Sequence, residues 1–361
     1  MELQTYINNH ENYISDFKKL GFKVNSYKNL KIISYPYDKK PEYNSEDDLY
    51  KLYLKGAVID STINRVICLP PIKSFDLNED SHIETQNDTI YQSLIDGTMI
   101  NLFYHGDQWL ISTRSEIGGY NKWQNKKSFR KMFDECCVNN NLDYDTLDKN
   151  MSYSFVMKHT ENRNVSPVSD NELILVEVYQ YDEDTIKRLM KDEYPELNCN
   201  IHDSYNDREE FMNAFQGPVI PYYIKGYTIK CGNLRYKWIN PYFDEVRGLK
   251  INMNNHLLNY IELRRNGNLK KYLRYYPEHS HLFNNYKDKL HDLSNDLFTT
   301  YKNVFVHKSM NKNEIPYHLN PLVYDIHKRY LNTKIPTNWD AVKDYIHTMP
   351  SKKLVFAMNY L

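Results

Sequence analysis

The chain has 361 residues, with 46 basic and 47 acidic side chains and a formal net charge of -1. This balance excludes a global electrostatic attraction to nucleic acid, so any contact with RNA must come from a local basic patch. The length is sufficient for two domains with substantial cores. No run approaches the roughly 18 apolar residues that a membrane span needs, so no membrane partner is expected.

Cysteine usage and the first residues predict a cytoplasmic protein. The five cysteines are an odd number and include no C-x-x-C pair, so neither a disulfide framework nor a zinc site is expected. The chain does not begin with a basic segment followed by an apolar one, as a secretory signal does.

The first 75 residues predict a helix followed by strands. Apolar side chains at helical spacing predict one helix over residues 6–20 that ends at Gly21. Residues 24–37 are rich in β-forming side chains. Two apolar runs, residues 54–60 and 65–75, flank a short polar turn and predict a β-hairpin.

The central stretch has the strongest hairpin signal. An alternating apolar run at residues 91–104 and a second run at residues 109–115 are separated by a Gly-Asp turn. This pattern predicts a hairpin that carries polar groups at both ends. Residues 126–137 then combine an apolar face with a basic face, which predicts an amphipathic helix.

The remaining chain predicts a mixed region and then a helical one. Residues 152–159, 172–179 and 219–229 predict strands, and a turn at residues 231–233 predicts a further hairpin that leads into residues 240–247. Short helices are predicted at residues 182–190 and 207–215, with a polar loop between them. From residue 249 helical spacing dominates, over residues 256–265, 269–276, 280–297, 321–331, 339–347 and 352–361. The predicted fold class is α+β, with an antiparallel-sheet domain over residues 1–248 and an α-helical domain over residues 249–361.

Leu94-Ile95-Asp96-Gly97 resembles the first catalytic motif of the covalent nucleotidyltransferases, the family of RNA ligases, DNA ligases and capping guanylyltransferases. In that family the motif reads Lys-x-Asp-Gly, and its lysine forms a covalent lysyl-nucleotide intermediate. Asp96 and Gly97 match the motif, whereas Leu94 occupies the lysine position. An aliphatic side chain cannot form that bond, so the motif keeps its scaffold and lacks its nucleophile.

Two further segments resemble motifs of the phage T4-type RNA ligases. Lys55-Gly56 occupies the place of an Arg-Gly pair, whose arginine contacts nucleotide phosphates in the family. Lysine keeps the charge there without the bidentate fork of arginine. Asn162-Arg163 matches an Asn-Arg pair, but Val156 replaces the glutamate that precedes it and serves the nucleotide or its metal.

The last two motifs are also incomplete. Gly226 matches a Glu-Gly motif, with Lys225 at the glutamate position, and Lys237 matches the first lysine of a Lys-x-Lys motif, with Ile239 at the second. Residues 240–247 resemble an RNA-ligase-like family that giant DNA viruses encode. The resemblance thus includes a viral factory or a virion among the expected locations.

The resemblance implies a nucleotidyltransferase domain over residues 1–248 that has lost its catalytic groups. Replacing carboxylates by valine and lysine removes the oxygen ligands that hard divalent cations need, so no metal site is expected. We interpret the chain as a ligase-like pseudoenzyme that binds a nucleotide, RNA ends, or both. The nucleotide-binding residues that the resemblance implies are Lys55, Asp96, Gly97, Arg114, Arg163 and Lys237.

Two alternatives stay open, and with them the question of whether the protein is an enzyme. The first is an active RNA ligase that uses ATP and Mg²⁺ and takes its nucleophile from elsewhere. Lys73 is the best candidate for that nucleophile, because its strand is expected to face the site. The second is a structural or virion-associated protein that uses the fold only as a frame.

Local basic clusters predict contact with RNA ends or single strands. One cluster lies on the predicted helix at residues 126–137 and another near the start of the helical domain. Solvated helix faces are the alternative interpretation of both. The candidate RNA-binding residues are Lys127, Arg130, Arg264, Arg265, Lys270 and Lys271.

Overall fold

The computed structural model of the chain describes residues 2–36, 39–40, 42, 44–77, 83, 89–122, 127–183, 185–197, 199–215, 220–250 and 255–359. Contacts divide the chain into two compact units, Met1–Arg247 and Gly248–Leu361. The predicted elements at residues 126–137, 219–229 and 352–361 each include positions outside the described set.

The first unit combines helices with three β-sheets. Its elements in chain order are α1 (Glu2–Asn9), α2 (Tyr13–Lys19), β1 (Lys23–Tyr27), β2 (Leu30–Ser34), α3 (Leu49–Tyr53), β3 (Ala57–Asp60), β4 (Arg65–Cys68), β5 (Phe75–Asp76), β6 (Ile90–Ser93), β7 (Thr98–His105), β8 (Gln108–Ser112), α4 (Phe129–Asn139), β9 (Met151–Lys158), β10 (Glu172–Tyr181), β11 (Ile186–Arg188), β12 (Asn200–Ile201), α5 (Arg208–Phe215), β13 (Gly226–Cys231), β14 (Leu234–Ile239) and α6 (Pro241–Gly248).

The strands are mostly antiparallel. The first sheet has the order β1-β2-β3-β4, and the second has the order β11-β10-β9-β7-β8, with β12 parallel to β10. The third sheet has the order β5-β14-β13-β6, in which β5 and β14 are parallel. The chain passes from the third sheet to the second between β6 and β7, so residues 94–97 lie at the junction of two sheets.

Each of the first two sheets buries an apolar face under helices. Phe17 and Leu52, from α2 and α3, are fully buried in one cluster with Ile59 of the first sheet. On the second sheet, Phe133 of α4 is fully buried in a cluster with Phe155 of β9. Burial of such side chains stabilises each layer by about 1.5–3 kcal/mol per residue.

Several predicted elements are confirmed. The hairpins β3–β4, β7–β8 and β13–β14 form where the alternating runs and turns predicted them. Strands β9 and β10 and helices α4 and α5 also lie within or close to their predicted ranges. The mixed α+β composition with antiparallel sheets and C-terminal helices agrees with the predicted fold class.

Three predictions of local structure are wrong. The single helix over residues 6–20 is two helices, because the polar residues 8–12 include three asparagines, which have low helix propensity. Residues 90–93 form β6 of the third sheet and do not extend the hairpin strand. The helix at residues 182–190 is instead β11, which pairs with β10, because strand pairing outweighs a short helical pattern.

The regular secondary structure among the described residues of the second unit is all helical. Its elements are α7 (His256–Arg265), α8 (Leu269–Tyr275), α9 (Ser280–Tyr301), α10 (Asn320–Thr333), α11 (Trp339–Thr348) and α12 (Ser351–Met358). A π-helical turn, Lys302–Val306, follows α9. The predicted helices are confirmed, with boundaries shifted by a few residues. Within the described residues of both units, no helix is both long and apolar enough to cross a membrane.

Candidate functional site: a cationic cluster at the junction of three sheets

The junction between β6 and β7 fixes the position of Asp96. The backbone N–H of Leu94 donates to the Gly226 carbonyl at 2.7 Å, which holds the end of β6 against the start of β13. A Cβ atom at Gly97 would lie 2.6 Å from both the Met157 carbonyl oxygen and Val156 Cγ1. Because only glycine allows this close approach, the Asp-Gly pair matches the geometry of the turn.

The Asp96 carboxylate anchors a loop and faces an ammonium group. Its Oδ2 accepts hydrogen bonds from the backbone N–H groups of Val165 and Ser166, both at 2.9 Å. Its Oδ1 lies 3.9 Å from Lys225 Nζ, and the carboxylate side chain is only 6% exposed. Lys225 Nζ also donates to the Ile95 carbonyl at 3.3 Å. Lys225 therefore lies beside the carboxylate, at the position where the family resemblance expects a glutamate.

The predicted Asn-Arg pair shapes the same loop. Arg163 donates through Nε and Nη2 to the Val165 carbonyl at 3.1 and 2.9 Å. The Asn162 amide donates to Thr98 Oγ1 at 2.9 Å. These bonds present the backbone N–H groups to Asp96. The structure thus gives Arg163 a contact within the loop, and its contact with a nucleotide stays a prediction.

Strand β14 places two cations on one face. Side chains two residues apart on a strand point the same way, so Arg235 and Lys237 share a face. Lys237 Nζ pairs with Asp76 of β5 at 3.0 Å, and Arg235 Nε donates to Thr228 Oγ1 of β13 at 3.1 Å. Arg235 lies outside the Lys-x-Lys comparison, which pairs Lys237 with Ile239. The same two-residue spacing, counted backwards from Lys237, would have found it.

Lys55 and Arg114 come from the other two sheets. Gly56, at the start of β3, has a positive φ of 116°, and a Cβ there would lie 3.3 Å from the Arg114 carbonyl oxygen. The chain before β3 therefore lies against the chain that follows β8. Lys73, beyond β4, donates its backbone N–H to the Leu52 carbonyl at 2.9 Å.

Six cationic side chains from the three sheets form a connected set, in which each interacts electrostatically with at least one other. Burial is the largest influence on Lys55 and lowers its pKa to about 7, and the charges of Arg235, Lys73, Lys237 and Lys225 act in the same direction. Burial, Lys237 and Arg114 likewise lower the pKa of Lys73. We call this set the cationic cluster: Lys55, Lys73, Arg114, Lys225, Arg235 and Lys237.

Lys55 is a partly buried member of the cationic cluster that lacks a partner among the described residues. Among the residues that the structure describes, its ammonium makes no hydrogen bond or ion pair, and its side chain is partly buried. Burial also lowers the pKa of Lys225, but the charge of Asp96 opposes that shift. An amine without a partner among other cations is suited to bind an anion or to act as a nucleophile.

A buried ion pair interacts with Arg235 of the cationic cluster. Lys230 of β13 donates to Glu177 of β10 at 2.6 Å, and the two side chains are 7% and 2% exposed. Burial alone would raise the pKa of Glu177, but the charges of Lys230, Arg188 and Arg235 outweigh it and lower that pKa to about 2. The pair links the second and third sheets. No local sequence pattern indicates this pair, because 53 residues separate the partners.

The carboxylates near the cationic cluster do not fit a divalent metal. Asp76, Asp96 and Glu177 each face a lysine ammonium, at 3.0, 3.9 and 2.6 Å. Within the described ranges, no group of three or more His, Cys, Asp or Glu side chains could hold a metal ion. A hard cation needs several free oxygen ligands, which these paired groups do not supply.

The candidate RNA-binding residues on α4 and just before it are engaged in ion pairs. Lys127 pairs with Glu135 at 2.9 Å and with Glu161 at 2.5 Å. Arg130 pairs with Asp134 at 3.0 Å. Both side chains are close to carboxylates, which reduces the positive field that they present to a phosphate backbone.

The candidates in the second unit differ from one another. Arg265 donates to Ser351 Oγ at 2.6 Å, and also to the carbonyls of Ile346 and Met349, so it connects α7 to the last two helices. Arg264, Lys270 and Lys271 are exposed. RNA contact by any of the six candidates stays a prediction.

No protein-family model and no curated protein matches the chain. Similar solved structures include a chain assigned as an ATP-dependent DNA ligase from Aquifex aeolicus, with 14% identity, a TM-score of 0.38, and coverage of 71% of this chain and 66% of that chain. A variant of a Naegleria gruberi RNA ligase with ATP and Mn has 11% identity and a TM-score of 0.32, over 46% of this chain and 53% of that one. The Naegleria gruberi enzyme with pyrophosphate has 12% identity and a TM-score of 0.29, over 44% and 50%. The chain thus matches at most 66% of the length of these three proteins.

Proposed function

We propose that the chain is an RNA-ligase-like protein that binds a nucleotide or an RNA end and does not form a covalent nucleotide intermediate. The observation that carries this proposal is the cationic cluster, of which Lys225 lies 3.9 Å from Asp96, two residues after Leu94. Ammonium and guanidinium groups bind phosphate oxygens through charge-assisted hydrogen bonds. Leu94 has no atom that could attack phosphorus.

The cationic cluster supports phosphate binding more strongly than it supports a purely structural role. Buried or half-buried cations destabilise a fold unless an anion compensates them. Lys55 has no such partner among the described residues. A structural frame alone would give no physical reason to keep this amine beside Arg235 and Lys73.

The first test combines covalent labelling with binding. Purified protein is incubated with ATP or GTP labelled at the α-phosphate, with Mg²⁺ or Mn²⁺, and resolved by denaturing electrophoresis. Thermal melts are recorded in parallel with nucleotides and with a 5′-phosphorylated RNA oligonucleotide, each with and without Mg²⁺. We expect no label and a ligand-dependent rise in Tm, because a ligand that binds the folded state stabilises it.

A matched pair of variants makes this test specific. Lys237→Ala removes a cluster amine that pairs with an aspartate at 3.0 Å, whereas Lys19→Ala removes an exposed amine that pairs with Asp16 at 3.2 Å. The rise in Tm should disappear in the first variant and persist in the second. No rise with any ligand would refute the proposal and favour a protein that uses the fold only as a frame.

One observation favours a second candidate function, an active ligase with a displaced nucleophile. With a pKa of about 7, Lys55 is a neutral amine in about half of the molecules at pH 7. Lys73 Nζ lies 4.8 Å from the Tyr35 ring centroid, a contact that stabilises its charged form. Lys55 is therefore a better nucleophile than Lys73, the candidate from the sequence.

The covalent step of this second candidate is explicit. The neutral Lys55 amine would attack the α-phosphorus, a P–N bond would form, the α–β phosphoanhydride bond would break, and pyrophosphate would leave as the amine loses a proton. A labelled band that Lys55→Ala abolishes and Lys73→Ala retains would establish this activity. It would also refute the non-covalent proposal.

A further inference from the structure

The charge balance of the cationic cluster differs from that of a metal-dependent nucleotide site. Among the residues that the structure describes, the six side chains of the cationic cluster face two carboxylates, those of Asp76 and Asp96, while Glu177 pairs with Lys230. The surplus is about four positive charges when every amine is protonated. A free triphosphate group carries about four negative charges at neutral pH, and its complex with Mg²⁺ carries about two.

Lys225 places one of these positive charges directly beside Asp96. Its ammonium lies 3.9 Å from Asp96 Oδ1, and the other carboxylate oxygen already accepts two backbone N–H groups. A divalent cation bound to that carboxylate would lie within a few ångströms of the ammonium and be repelled by it. The Lys225 ammonium thus occupies the space beside Asp96 that a metal ion would need, and its charge opposes metal binding.

We infer that the cationic cluster binds a linear triphosphate group in its metal-free form, and that Lys225 supplies the positive charge a divalent cation would otherwise contribute. The inference rests on the proposed function and deepens it by naming the ligand chemistry. The triphosphate group can belong to a nucleoside triphosphate or to the 5′ end of an RNA. Both sources present the same chain of anionic oxygens to the cluster.

Calorimetric titration of the full chain tests this inference. Inorganic tripolyphosphate, ATP and AMP are each titrated in EDTA and again with Mg²⁺ in excess over ligand. We expect ATP and tripolyphosphate to bind in EDTA, and to bind at least about tenfold more weakly as the Mg²⁺ complex, because two charges of attraction are lost. AMP, with a single phosphate, should bind at least about tenfold more weakly than ATP.

Substitutions at Lys225 test its role directly. Lys225→Ala should weaken ATP binding in EDTA, and Lys225→Glu should reverse the preference so that the Mg²⁺ complex binds better than free ATP. Arg114→Ala provides a second variant, at an exposed position, if the Lys225 variants fail to fold. It should weaken the binding of free ATP more than the binding of the Mg²⁺ complex. Lys19→Ala should leave both affinities unchanged.

Each outcome decides between the two proposals. Binding that requires Mg²⁺, or equal affinity for AMP and ATP, would overturn the metal-free triphosphate inference and leave the proposed function standing. Failure of every ligand in both conditions would overturn both. Comparison of a 5′-triphosphorylated RNA oligonucleotide with its 5′-monophosphorylated form then distinguishes an RNA end from a free nucleotide as the source of the triphosphate.

Discussion

Ligand binding by the cationic cluster should be accompanied by proton uptake at Lys55. The pKa of this amine is about 7 in the free protein, so only about a tenth of the molecules carry its proton at pH 8. A bound polyphosphate places negative charge beside the amine and stabilises its charged form. Binding at pH 8 must therefore draw a proton from the buffer.

The size of the uptake follows from the shift in pKa. If the ligand raises the pKa of Lys55 by about two units, binding takes up about 0.8 proton at pH 8 and about 0.1 proton at pH 6. The affinity of the protein should also fall by up to about tenfold for each pH unit above 7, until the pH reaches the pKa of the complex. Both effects have the same origin and must appear together.

Calorimetry in two buffers of different ionisation enthalpy measures this uptake, with tripolyphosphate or ATP in EDTA. Lys55→Arg is the matched control, because a guanidinium keeps its charge across this pH range and takes up no proton. The difference between the two proteins isolates Lys55 from protons that the ligand itself exchanges. Equal uptake by both, or an affinity that does not change between pH 7 and 9, would refute the reasoning.

Three predictions concern the free energy of unfolding, measured by urea denaturation. Lys55→Met should raise it by on the order of 2–4 kcal/mol at pH 7 and should reduce the gain in stability that the wild type shows from pH 7 to 10. The reason is that a lysine whose pKa is lowered in the folded state destabilises the fold at pH values below its unfolded pKa. Glu177→Gln should lower it by about 3–5 kcal/mol at pH 7 by leaving Lys230 without its carboxylate. This difference between wild type and variant should shrink by about 3 kcal/mol as the pH falls from 4.5 to 2, the window between the unfolded and folded pKa values of Glu177. Gly97→Ala should lower the free energy of unfolding by about 1–3 kcal/mol, since its methyl group would lie 2.6 Å from the Met157 carbonyl oxygen. If any of these variants has the same stability as the wild type, the energetic role assigned to the corresponding contact is wrong.

The sequence predicted local elements well wherever their pattern is self-contained. Hairpins such as β7–β8 and β13–β14 follow from alternation and a turn, and the helices of the second unit follow from their spacing. The run before Asp96 was misassigned, since residues 90–93 pair with β13 and not with the neighbouring hairpin. Within a continuous apolar run, no residue pattern indicates where the chain passes from one sheet to another.

The candidate site was predictable in part, for the same physical reason. Asp96 and Gly97 stand out as a pair in the sequence, and the resemblance indicated Lys55 and Lys237. Arg235 is visible only once β14 is recognised as a strand with two faces. The convergence of these groups depends on pairings over more than a hundred residues, such as that between Leu94 and Gly226, which no local pattern encodes.

The backbone pairing at residue 94 does not depend on which side chain occupies that position. The bond from Leu94 to Gly226 uses main-chain atoms alone, so any side chain at this position can satisfy it. Exchange of the side chain at residue 94 therefore leaves this strand hydrogen bond intact. The same independence makes residue 94 an entry point for protein engineering, where Leu94→Lys would place an amine on a backbone whose hydrogen bond to Gly226 is unchanged.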